Sequence, residues 1–199
     1  MTYNAKDYLA QAKLKDLGFN PGLLDGLWGQ KSQQALDAWQ KPLVPVVGIP
    51  DALDARTETN IATLRPKTRV AARAFMTAIL PMLAAQGVTA KITSGTRSYA
   101  EQDALYAQGR TTSGPVVTNA RAGYSNHNFG IAWDITLFHD GVPIWESPLY
   151  DECAKIGEEQ GLDCGAYWTN LKDEPHYGVK TPYSLAELRN RVSLGLDIL

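Results

Sequence analysis

The run from residue 130 to residue 145 constrains the fold more than any other. Ile131, Trp133, Ile135 and Leu137 alternate with other residues, the period of two that gives a strand one buried face. Asp140-Gly141 follows, a pair suited to a two-residue hairpin because both positions accept positive φ. The chain then returns through Val142-Pro143-Ile144-Trp145. A hairpin with one apolar face needs a layer to cover it, so an antiparallel sheet is expected, packed on one side. Helical patterns supply that layer. Pro66 suits the first turn of a helix over 66–86, kinked at Pro81. Further helices are expected over 98–108, over 148–159 with Gly161 closing it, and over 184–196 with Ser184 as cap. Short strands are expected at 88–93, 116–119 and 177–179. Helices mixed with antiparallel strands make residues 66–199 an α+β domain, a small antiparallel sheet flanked by helices.

Residues 1–65 read as a separate, small three-helix domain. Tyr8, Leu9, Ala12 and Leu17 can share one face of a first helix that Gly18 ends. A turn-rich stretch over 19–29 follows. A second helix has Ser32 near its start and Ala35, Leu36 and Trp39 on its buried side. Pro42, Pro45, Gly48 and Pro50 break the chain before a third helix within 51–64. Three short helices make a marginal core.

Composition excludes several classes. Apolar residues are 44% and charged residues 20% of the chain, as in ordinary globular proteins. A net charge of −2 gives no electrostatic case for nucleic acid or anionic lipid. The longest apolar stretch, 75–85, is far short of a membrane span of about 20 residues. The first residues lack a basic segment followed by an apolar one, so no secretory signal is read. Synthesis in the cytoplasm and a monomeric state are expected. Cys153 and Cys164 are too few for a disulfide framework and are expected as two reduced, partly buried thiols.

The chain has three histidines. His127 stands seven residues before Asp134, in a loop that leads into the expected strand. His176 lies in Asp173-Glu174-Pro175-His176-Tyr177. Zinc takes nitrogen and carboxylate ligands in a tetrahedron, and a catalytic site uses three of them and leaves the fourth position to water. His127, Asp134 and His176 meet that requirement. Spacing alone is a weak signal and favours satisfied or exposed histidines.

Ser125-x-His127-x-x-Gly130-x-Ala132-x-Asp134 resembles the first metal motif of the peptidoglycan peptidase family that holds D-alanyl-D-alanine carboxypeptidases and L-alanyl-D-glutamate endopeptidases. Trp168, followed by Asp173-x-Pro175-His176-Tyr177, resembles its second motif. Ser94-Gly95-Thr96-Arg97-Ser98, with Gln102 and Leu105-Tyr106, resembles the segment upstream of the metal. The resemblance implies Zn2+ held by His127, Asp134 and His176. Asp173 would be the carboxylate that moves the proton, with Glu174 as its rival. Arg97 would polarise the scissile carbonyl or hold a substrate carboxylate. Ser125, Gln102 and Trp168 would contact substrate. In a flat strand Asp173 and His176 would face opposite sides, so both reach one cleft only if the segment turns near Pro175.

The expected substrate is bacterial peptidoglycan, cut at the L-alanyl-D-glutamate bond of its stem peptides. A D-alanyl-D-alanine carboxypeptidase and a non-catalytic wall-binding protein are the alternatives. A muramidase would need paired carboxylates across a sugar cleft. The run Gly161-Leu162-Asp163-Cys164-Gly165-Ala166-Tyr167-Trp168 departs from the family's Trp-Gly-Gly-like pattern, which puts bond preference in doubt and raises Cys164 as another metal ligand. Leu24-Asp25-Gly26-Leu27-Trp28-Gly29 and Ala35-Leu36 before Trp39 are similar to the three-helix peptidoglycan-binding domain of wall hydrolases. Trp28 and Trp39 are read there as core residues. The order, binding module first, resembles phage endolysins.

Overall fold

The computed structural model describes residues 3–16, 20–40, 53–169 and 172–199. The expected parts played by Leu17, Gly18 and the Trp39 side chain, and the break over 42–50, lie outside the described residues. Seven helices are described: α1 Ala5–Asp16, α2 Gln30–Gln40, α3 Ala55–Thr63, α4 Pro66–Ala84, α5 Tyr99–Ala107, α6 Leu149–Glu159 and α7 Leu185–Ser193. Five strands make one sheet: β1 Val88–Ser94, β2 Ala132–His139, β3 Val142–Ile144, β4 Leu162–Cys164 and β5 His176–Val179. All pairs are antiparallel, in the order β1-β2-β5-β4, with β3 also paired to β2. This is the α+β arrangement the sequence implies.

The alternation in β2 decides how the sheet faces. Trp133, Ile135 and Leu137 are fully buried, with Ala90 and Ile92 of β1, Tyr177 of β5 and Leu162 and Cys164 of β4. They pack on Phe75, Met76, Ile79 and Leu83 of α4 and on Cys153 and Ala154 of α6. Each large side chain buried this way contributes about 1.5–3 kcal/mol. The intervening residues face the other way. Register sets Ser94 beside Asp134 and Asp134 beside His176, a polar row across three strands.

The hairpin turns as its sequence demands, with φ of 50° at Asp140 and 79° at Gly141. Ser98 and Glu101 form a capping box that starts α5, and Ser184 and Glu187 do the same for α7. Two expectations fail. Residues 116–119 form no strand: Val116 and Val117 are exposed, and side chains hold this segment, with Arg110 donating to the Thr118 carbonyl and Gln102 to the Ala120 carbonyl. On α1, Tyr8 and Leu9 face solvent, and Gln11 and Leu14 are the buried residues instead. The strand β4 has only three residues, too few for a readable period.

Helix α3 packs on the larger core. Ile61 and Leu64 are buried in it. At β1, the Thr57 hydroxyl accepts from Ile92 N at 3.0 Å and the Asn60 amide donates to the Ile92 carbonyl at 2.8 Å. Backbone groups on that edge of the sheet are thereby satisfied and covered. The helices α1 and α2 are joined by a different device. Gln11, fully buried, donates to the Leu27 carbonyl at 2.9 Å and the Ser32 hydroxyl at 3.0 Å, and accepts from Gly26 N at 2.9 Å. Asp25 accepts from Leu27 N at 2.9 Å, the local backbone bond expected of it.

Candidate metal centre

His127 sits in the 3-10 turn Asn126–Phe129. The Ser125 hydroxyl accepts from His127 N at 3.4 Å at its start. Gly130, at φ 67°, ends it, and a side chain there would crowd Thr96 and Arg65. The ring Nδ1 lies 2.7 Å from the Gly95 carbonyl. A carbonyl only accepts, so Nδ1 carries the proton and Nε2 is left as a lone-pair donor. That Nε2 faces Asp134 Oδ1 at 3.1 Å and His176 Nδ1 at 3.2 Å, and His176 Nδ1 lies 3.1 Å from the same Oδ1.

Three ligand atoms from a loop, from β2 and from β5 therefore converge, all within 4.8 Å of one another. Both histidines are buried. Burial pushes the Asp134 carboxyl up, but the electrostatic pull and hydrogen bonds of the two imidazoles beside it outweigh that and hold the group well below the usual carboxylate range. An acceptor on His127 aimed at a carboxylate oxygen and a second imidazole is the donor set of a divalent cation, and two nitrogens with one oxygen fit zinc. Among the described residues Cys164 is outside this group. Its thiol points at the Ala154 carbonyl, 3.6 Å away, and burial pushes its pKa up to about 11. Cys153 is likewise free, buried and pushed up to about 12. The two reduced thiols expected from composition are core residues.

Arg97 supports the cluster. Its guanidinium donates to Asp134 Oδ2 at 2.6 Å, to the Gln102 carboxamide at 3.2 Å and, through Nε, to the Ser94 hydroxyl at 3.1 Å. This contact turns Oδ1 of Asp134 toward the histidines. Gln102 is fully buried and does not line the cleft, so its expected place as a substrate contact gives way to one behind Arg97, where it also ties the Ala120 carbonyl.

The segment before His176 turns, as its geometry requires. His176 N donates to the Asp173 carbonyl at 3.0 Å across Glu174-Pro175. Asp173 thereby enters the same cleft as the two histidines. Its carboxyl is pushed up by burial first and by the Asp134 charge second, against the opposing pull of His176, His127 and Arg97. Glu174 pairs with Lys172 at 2.7 Å and does not line the cleft. The turn rests on Gly165, whose carbonyl accepts from Asp173 N at 3.0 Å. Any side chain on Gly165 would run into the Asp173 carbonyl and the His176 Cβ. Sequence reasoning passed over this residue, although a glycine beside a strand often marks a close backbone approach.

The cleft holds about 740 Å³. Trp168 lines it, with its ring 4.7 Å from that of His176 and its Nε1 on Asp163. Ser125 also lines it. Trp145 and the paired Thr93 and Thr136 hydroxyls, 2.9 Å apart, are cleft residues that the sequence did not single out.

Residues 118–179 match the family model described as D-alanyl-D-alanine carboxypeptidase. His127, Asp134, Asp173 and His176 all fall inside the match. The segment that carries the site is thus similar to this peptidase family. The peptidoglycan L-alanyl-D-glutamate endopeptidase CwlK of Bacillus subtilis (strain 168) is 42% identical over 102 residues, 46% of this chain and 60% of that protein. The chain thus spans about 60% of the length of the curated relative it matches. Two solved structures are also similar. The L-Ala D-Glu endopeptidase ChiX of Serratia marcescens is 25% identical, with a TM-score of 0.43 over 64% of this chain and 89% of that one. The L,D-carboxypeptidase DacB from Streptococcus pneumonia is 22% identical, with a TM-score of 0.44 over 67% of this chain and 73% of that one. Among the described residues no helix is long and apolar enough to cross a membrane.

Proposed function

We propose that the chain is a zinc-dependent endopeptidase of bacterial peptidoglycan that cuts the L-alanyl-D-glutamate bond of the stem peptide. The convergence of His127 Nε2, Asp134 Oδ1 and His176 Nδ1 beside the Asp173 carboxyl carries this reading. Bound there, zinc supplies the Lewis acidity that activates water for attack on a carbonyl. Asp173 accepts the proton from that water and returns it to the departing amine, a role suited to a cleft carboxylate with a raised pKa. Arg97 positions Asp134, and its exposed side leaves it open to the substrate carbonyl. His127 is fixed by Gly95, so the ligand geometry needs little reorganisation.

The L-alanyl-D-glutamate bond is favoured by the 42% identity to CwlK across 102 residues. The family model's description favours a second reading, removal of a terminal D-alanine. Muropeptides digested by the protein and mapped by mass spectrometry separate the two. Fragments beginning with D-glutamate support the endopeptidase. Loss of D-alanine alone would replace it with the carboxypeptidase.

Helices α1 and α2 are the candidate wall-binding module, on the strength of the Asp25-Gly26-Leu27-Trp28-Gly29 loop and its buried Gln11. We take the peptidase unit to begin at Leu53, a reading that the packing of α3 on β1 supports. Such a module raises the local concentration of the peptidase on the polymer. A lytic role, monomeric and released to act on the wall as in phage endolysins, completes the reading. A sedimentation assay with purified walls tests the module: protein lacking residues 1–40 should stay in the supernatant.

A further inference from the structure

The open face of the sheet continues past the metal row. On β2, Thr136 follows Asp134 by two residues and so faces the same way. Its hydroxyl pairs with that of Thr93, and both line the cleft. Lys91 of β1 stands opposite Thr136 in the ladder. Its neighbours Ala90 and Ile92 are buried in the core, so Lys91 lies on the open face, its ammonium 5.3 Å from the centre of the Phe138 ring. Among the described residues no carboxylate lies within ion-pair distance of it. On the other flank, Trp145 comes one residue after the Leu137–Ile144 pair and lines the cleft while 65% exposed.

A largely exposed indole on a cleft wall forfeits much of the burial that large aromatics gain elsewhere, and it recovers that on contact with a ligand. Two hydroxyls between an indole and an unpaired ammonium form a surface with one flat apolar wall and one positive end. Resting on the proposed peptidase function, we propose that Lys91, Thr93, Thr136 and Trp145 form a subsite for an acidic residue of the stem peptide, with its carboxylate toward Lys91 and its aliphatic part on Trp145. The charge favours a carboxylate-bearing peptide over the neutral sugars of the glycan strand.

The test uses the full-length zinc-loaded protein and three soluble substrates: an acidic stem peptide, the same peptide with its glutamate α-carboxyl amidated, and the acidic peptide still carrying its disaccharide. Hydrolysis by the wild type establishes the peptidase reading first, so its failure is distinct from failure of the subsite. Trp145→Ala should raise KM about tenfold on all three with kcat within about twofold, and Trp145→Phe should restore most of the loss. Lys91→Gln should raise KM about threefold to fivefold on the acidic peptides and leave the amidated one unchanged. Loss confined to the disaccharide-bearing substrate would make Trp145 a sugar platform and overturn the proposal. So would equal effects of Lys91→Gln on acidic and amidated peptides, or unchanged KM in both variants.

Discussion

The amino-terminal helices and the larger α+β unit each bury a polar centre, and the two centres are built in opposite ways. In the first, one carboxamide does everything: Gln11 donates to Leu27 and Ser32 and accepts from Gly26. Donors meet acceptors, and nothing further is needed. In the second, His127 Nε2 and Asp134 Oδ1 are both acceptors, and they face each other and His176 at 3.1–3.2 Å. A closed network fixes a loop to a helix. An open set of lone pairs recruits a cation. Burial of polar groups alone does not separate structure from function; the balance of donors and acceptors does.

The largest effect should come from the carboxylate beside the open set. Asp173→Asn should lower kcat about 10²–10⁴-fold while zinc content and melting temperature stay at wild-type values. Metal analysis beside a peptide hydrolysis assay reads both. Loss of zinc with activity would move Asp173 into the ligand set. Gly165→Ala comes next. The added methyl displaces the Asp173 turn, and a shift of about 1 Å costs on the order of 10²-fold in rate. Wild-type kinetics in this variant would show that the close approach does not position Asp173.

The closed network should respond in the other currency. Gln11→Ala strands the Gly26 amide and the Leu27 carbonyl, so it should destabilise the amino-terminal helices by about 1–3 kcal/mol. Its kcat on a soluble peptide should not change. A fall in kcat without a fall in stability would erase the contrast between the two centres. The smallest effect concerns a pair outside both. Glu58 is held below the usual glutamate range by its hydrogen bonds to Arg73. A carboxylate depressed in the folded state adds stability above the unfolded pKa of about 4.3, and that stability is lost as pH falls through the lower folded value. Arg73→Ala should therefore flatten the acid limb of the stability–pH curve modestly, because the pair is partly exposed.

Residue types and order made the larger α+β unit legible. The alternation ending at Leu137 and the Asp140-Gly141 turn defined β2 and its hairpin, and with them the faces of the sheet. The ligands could be named because His127 and His176 are two of three histidines and, with Asp134, lie in recognisable local strings. What stayed hidden depended on proximity between distant segments. Gly165 matters through Asp173, and Gln102 turned inward because Arg97 and the Ala120 carbonyl needed a partner. Residues 116–119 have strand-like composition, yet Val116 and Val117 are exposed and the Thr118 carbonyl goes to the Arg110 side chain. On α1 the apolar residues misled, because the buried position is a glutamine whose value lies in its bonds to a loop.

The most direct test of the open centre is hydrolysis of an acidic stem peptide by metal-stripped protein titrated with zinc. A centre that takes zinc on His127, Asp134 and His176 predicts no turnover without metal, a linear rise in rate that ends at one zinc per chain, and no recovery in His176→Ala. Full turnover by the stripped protein, or an undiminished rise in His176→Ala, would contradict it.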